Sequence, residues 1–157
     1  MSPLRRVDAR GAGPSALGIL VPPGRKTVLI VRPRPLPWDL LLVRRGEGES
    51  GTPFLHLERD EAEAVAEGLF RALERWASGG PGRVEGAFAP DGDGYWVQAE
   101  VGAFPLVACE RRPGQPYRPA AFPTPEGASA AAALVADALR PADGEQEVYL
   151  NTRNFGR

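Results

Sequence analysis

Short β-branched and apolar runs arrive in groups, each group is closed by one helical window, and the plan then repeats about 66 residues later. Residues 17–21 (LGILV) stop at Pro22-Pro23-Gly24, and residues 27–31 (TVLIV) stop at Pro33, Pro35 and Pro37. Residues 39–43 (DLLLV) close at Arg44-Arg45-Gly46, and residues 54–57 (FLHL) are a short fourth strand. From Asp60 the period changes: Ala62, Val65, Ala66, Leu69, Leu73 and Trp76 follow helical spacing. Asp60 suits the N-cap with Glu63 three residues on, and Gly79-Gly80-Pro81 ends the helix.

The second half follows the same plan. Residues 83–88 alternate, Asp91-Gly-Asp-Gly94 is a hairpin turn, and residues 95–101 and 105–109 are the next two strands. Residues 117–122 supply a short fourth. Thr124 followed by Pro125 opens an Ala-rich helix that Arg140-Pro141 closes. The offset matches Ile30 with Trp96, Leu40 with Leu106 and Arg45 with Arg111. The expected fold is therefore α+β: two tandem β-β-β-β-α units, 15–80 and 81–141. Each has a curved antiparallel sheet packed with one helix, and the two are related by a pseudo-two-fold and fused into one domain. Residues 1–14, with Arg5, Arg6 and Arg10, read as a flexible basic arm. Residues 142–157 read as a C-terminal strand and tail, with residues 147–150 adding an edge strand or pairing with another subunit.

Composition sets the outer limits. With 43% hydrophobic and 25% charged residues, the 157-residue chain has an ordinary globular balance. One Cys excludes an internal disulfide framework, and one Cys with one His excludes the usual zinc sets. No apolar run approaches the ~20 residues that span a bilayer, and Met1-Ser-Pro-Leu-Arg-Arg6 leads into no signal-like apolar region. A soluble cytoplasmic protein without membrane contact is expected. Net charge is −1, but it is unevenly spread: residues 1–50 carry nine basic and four acidic side chains, residues 51–100 four and ten. The bias to Arg over Lys is first a sign of coding composition. A basic sheet surface is the functional alternative, since Arg forks suit phosphate and stack on bases.

The stretch 26–32 (KTVLIVR), then 38–44 (WDLLLVR), then 54–57 running into the helix at 61–76, resembles one PUR repeat. The order of elements is also similar, more loosely, to the Whirly-type single-strand binders. That resemblance implies a binder of single-stranded DNA or RNA, often dimeric, with no cofactor. Single-strand binders combine a basic groove with aromatic faces on which bases stack. The basic candidates are Arg25, Lys26, Arg32, Arg34, Arg44 and Arg45 in the first unit, and Arg111, Arg112 and Arg118 in the second. Trp38, Trp96 and Tyr117 are the stacking candidates, with core packing the plain alternative for Trp96 and Trp76 and a turn position beside Pro37 favouring exposure of Trp38.

Catalysis finds no foothold in the sequence, and no enzyme is expected. Cys109 lies in an apolar strand, His56 is the only His that could serve it as a base, and no phosphate loop of the Walker type is present. Asp91-Gly-Asp-Gly94 lacks the later ligands of a calcium loop. The alternative to nucleic-acid binding is an accessory subunit that meets a protein partner through a sheet edge or the Pro-rich segment 32–37.

Overall fold

A computed structural model describes residues 4–7, 28–33, 36–43, 54–89, 94–111, 115, 117–140 and 146–151. Seven strands and two helices follow in the order β1 (Leu4–Val7), β2 (Val28–Pro33), β3 (Trp38–Leu42), α1 (Arg59–Ala77), β4 (Gly82–Phe88), β5 (Tyr95–Val101), β6 (Phe104–Glu110), α2 (Pro125–Ala138) and β7 (Gln146–Asn151). All strands join one sheet in the order β1-β7-β2-β3-β6-β5-β4. Every pairing is antiparallel except that of β1 with β7.

This α+β sheet corrects the expectation of two tandem units with their own four-stranded sheets and a pseudo-two-fold. The segments expected as fourth strands do not become strands. Phe54 makes one isolated bridge to Val43, and Pro119 and Phe122 make single bridges to Cys109 and Tyr95. The strand edges thereby left open are taken by partners from far along the chain. β3 pairs with β6 from Trp38↔Glu110 to Leu42↔Leu106, and β2 pairs with β7 from Val28↔Asn151 to Pro33↔Gln146. Thus β7 is an interior strand rather than an edge or an intersubunit strand. Its other side is occupied by Leu4–Val7, which the sequence placed in a flexible arm. The run at 17–21 lies outside the described residues.

Both helices pack on one face of the sheet. Strand alternation sends Leu29, Val31, Leu40, Leu42, Val97, Ala99, Val101, Leu106 and Ala108 to that face. There they meet Ala62, Ala66, Leu69, Leu73 and Trp76 of α1 and Ala131, Ala132 and Val135 of α2. The opposite face carries a smaller apolar cluster of Val28, Ile30, Leu41, Val43, Phe54, Val107 and Cys109, with Trp96 and Tyr117 at its margin. Apolar on both faces, β2 and β3 are the buried centre of the sheet, which explains why their sequences read as near-continuous hydrophobic runs.

Local chemistry sets the helix ends. Thr124 caps α2 as expected, its hydroxyl accepting from Gly127 N at 3.0 Å with Pro125 at the first helical position. α1 begins two residues earlier than Asp60: Glu58 is the N-cap, and Glu61 Oε1 accepts from Glu58 N at 3.3 Å. Asp60 and Glu61 then sit in the first turn, where the helix dipole favours negative charge.

α2 can approach β4 closely only because position 86 has no side chain. A Cβ on Gly86 would lie 2.7 Å from the Ala128 Cβ and 3.1 Å from the Ala128 carbonyl carbon. Gly86→Ala is expected to cost about 1–3 kcal/mol, the usual range for overpacking. Denaturant unfolding checks this, and an unchanged midpoint would refute the tight α2–β4 contact.

Candidate functional site

Asp39 is the only charged or polar residue fully buried among the described residues. It stands at the start of β3, and period-two alternation turns it to the helix-free face with Leu41 and Val43, away from Trp38 and Leu40. An ionised carboxylate without water needs cationic or donor partners, and the fold brings three. The β2–β3 register (Val31↔Leu40) places Arg32 across from Asp39. The β3–β6 register (Asp39↔Cys109) places Arg111 diagonally, two residues past Cys109. The 117–122 segment enters between the diverging ends of β5 and β6, where its bridges to Tyr95 and Cys109 bring Tyr117 alongside.

Arg32 grips both oxygens, Nε donating to Oδ1 at 2.9 Å and Nη2 to Oδ2 at 3.0 Å. Arg111 donates to Oδ1 through Nε at 3.0 Å and Nη2 at 2.8 Å. The same Nη2 reaches the carbonyls of Leu36 at 3.0 Å and Trp38 at 3.2 Å, which ties the β2–β3 connection to β6. Tyr117 donates its hydroxyl to Oδ2. Burial on its own would raise the Asp39 carboxyl. Hydrogen bonds from Arg32, Arg111 and Tyr117, with the charge of Arg32, outweigh it and hold the group below its ordinary 3.8. Burial and the adjoining carboxylate push the Tyr117 phenol well above its ordinary value, so it stays a neutral donor.

β7 sets Glu147 opposite Arg32 in the ladder, and two guanidiniums share the Asp39 carboxylate. Both side chains remain 32% exposed. Arg111 Nη1 makes no hydrogen bond among the described residues. Arg118, one residue beyond Tyr117, is exposed, and its backbone carbonyl accepts from Glu110 N at 3.0 Å. At the β4–β5 edge of this face Glu85 and Glu100 flank Arg83. The Asp39 cluster lies on the middle strands of the sheet. Its arrangement suits recognition of an anion by preorganised forks.

Of the residues singled out in the sequence, the structure gathers Arg32, Arg111 and Tyr117 around Asp39 on the helix-free face, while alternation along the bridged 117–122 segment turns Arg118 to the other face with Phe122. Trp96 is half-buried against the apolar cluster on the same face. Trp38 belongs to the other face, where it meets Phe122 edge-on at 5.6 Å between ring centroids. Arg25, Lys26, Arg34, Arg44, Arg45 and Arg112 lie outside the described residues. Cys109 is fully buried, as its apolar strand suggested, and desolvation, with Asp39 and Glu110 nearby, raises its thiol well above the ordinary value. The sequence reading passed over Asp39 itself. Its signal was an acidic residue heading a strand otherwise made of Leu and Val, a position that demands a basic partner.

No family model, curated protein or solved structure matches this chain. Among the described residues, no helix is long and apolar enough to cross a membrane.

Proposed function

We propose that the arginine pair held on Asp39, on the helix-free face, binds single-stranded nucleic acid. The observation that carries this reading is the pair of half-exposed guanidiniums held side by side on the buried Asp39 carboxylate, with Arg111 Nη1 still able to donate. A phosphate reaching Arg111 and Arg32 meets donors whose geometry is fixed before it arrives, so less side-chain freedom is lost on binding. The exposed margins of Tyr117 and Trp96 offer ring surface beside these cations for unpaired bases. This is the ligand class implied by the PUR-repeat resemblance, here supported by one cluster rather than by paired units.

The test is fluorescence anisotropy of a labelled mixed-sequence single strand and its duplex across a salt series. With two phosphate contacts the single-strand slope is about −1.4 in log K against log salt, or a roughly 7-fold loss of affinity between about 50 and 200 mM. Arg111→Gln is expected to weaken binding and flatten that slope, while Arg118→Glu, on the other face, leaves both unchanged. Absence of binding at low salt, or binding indifferent to salt, would overturn the reading.

A further inference from the structure

β4 closes the described sheet on one side, and its geometry identifies a partner. The Ala89 N donates to Gly94 O at 2.7 Å, next to the register pair Phe88↔Tyr95. That contact fixes the phase of the ladder. Arg83, Glu85 and Ala87 direct their backbone groups to β5, while Gly82, Val84, Gly86 and Phe88 direct theirs outward. Among the described residues no strand or bridge occupies this edge. The edge is seven residues long and lacks proline, and a row of outward N–H and C=O groups of this kind is a template for strand addition. Among the described residues, the two exposed large apolar side chains, Phe88 at 60% and Leu134 at 53%, belong to β4 and to α2, which lies over it.

We propose that this edge pairs with the β4 of a second copy of the same chain, antiparallel about a two-fold axis at Val84. The charges choose both the partner and the register. With Val84 opposite Val84, Arg83 of each copy faces Glu85 of the other, at the closely spaced non-hydrogen-bonded positions where side chains approach most. A longer overlap, with Val84 opposite Gly86, sets Glu85 against Glu85 on the axis. A pairing centred on Gly86 leaves both charges without an opposite. Arg83 and Glu85 are 68% and 51% exposed, and their contacts within the chain, Arg83–Glu85 and Arg83–Glu100, are both loose at 3.6 Å. They are therefore available to re-pair across the seam. The interface extends the sheet continuously through both copies and leaves the Asp39 cluster, on the middle strands of the sheet, clear of the seam.

Sedimentation velocity of the full chain over a dilution series tests this. The expected species is a dimer of twice 16.8 kDa that dissociates on dilution. Val84→Pro removes an outward N–H and no bond to β5, so it yields a folded monomer. Arg83→Glu weakens the dimer about tenfold or more, because each opposed charge pair occurs twice per dimer. Adding Glu85→Arg to Arg83→Glu restores the dimer with its charges exchanged. A wild-type chain that stays monomeric up to its solubility limit would overturn the proposal and leave the edge to a different protein. A dimer that survives both Val84→Pro and Arg83→Glu would overturn it equally.

Discussion

Replacing Asp39 with Ala is expected to destabilise the protein by about 3 kcal/mol, at the lower end of the range for breaking a buried ion pair. The loss arises on both sides of the site. The carboxylate that Arg32 and Arg111 both face disappears, the Tyr117 hydroxyl loses its acceptor, and the β2–β3–β6 ladders lose a side-chain tie across them. The cost stays at the lower end because each guanidinium is about one-third exposed and recovers some hydration. Urea denaturation measures the effect, and a change below about 1 kcal/mol would contradict the account. A companion variant separates stability from function. Replacing the set together with apolar residues of similar size (Asp39→Leu, Arg32→Met, Arg111→Met) should recover most of the lost stability, because no buried charge is left uncompensated. The same variant should lose binding to the single strand.

Acid should unfold the protein partly through this one carboxyl. Because the folded state holds Asp39 below its ordinary 3.8, the unfolded chain takes up a proton first as pH falls. The stabilisation contributed by the cluster is therefore complete above the unfolded value and is lost as pH drops through the lower, folded one. Stability measured from pH 7 downward should show this contribution level until about pH 5, where the unfolded carboxyl begins to titrate, and falling below that. Asp39→Asn should remove that component of the acid limb while lowering stability at neutral pH. An acid limb identical in both proteins would contradict the role given to Asp39.

Local patterns in the sequence carried most of the elements and little of the topology. The strands at 28–33, 38–42, 82–88, 95–101 and 104–110 and both helices follow from β-branched runs, alternation and 3.6-residue periodicity, all of which are local signals. Which strand lies beside which is not local. The pairing of β3 with β6 and of β2 with β7 satisfies the backbone of strands that are apolar on both faces. A tandem repeat that matched in order could not reveal that its two halves would merge through these edges. The FLHL segment at 54–57 had strand-like composition but only one bridge to make, at Phe54. The site was half legible. Arg32 and Arg111 stood out as cations, and alternation alone places Trp38 and Asp39 on opposite faces. What joins Arg32 to Arg111 is a single acidic side chain, visible in the sequence only as an odd letter at the mouth of a buried strand.

The most direct measurement is a two-dimensional proton–nitrogen spectrum of the arginine Nε–Hε groups, recorded while a short oligothymidine is titrated into the full chain at low salt. Arg32 and Arg111 resonances are expected to shift together and saturate with one affinity, while Arg118 on the other face, Arg83 on the β4 edge and Arg71 and Arg75 on α1 stay fixed. Saturable shifts confined to arginines outside the Asp39 cluster, or no shift anywhere, would contradict the account.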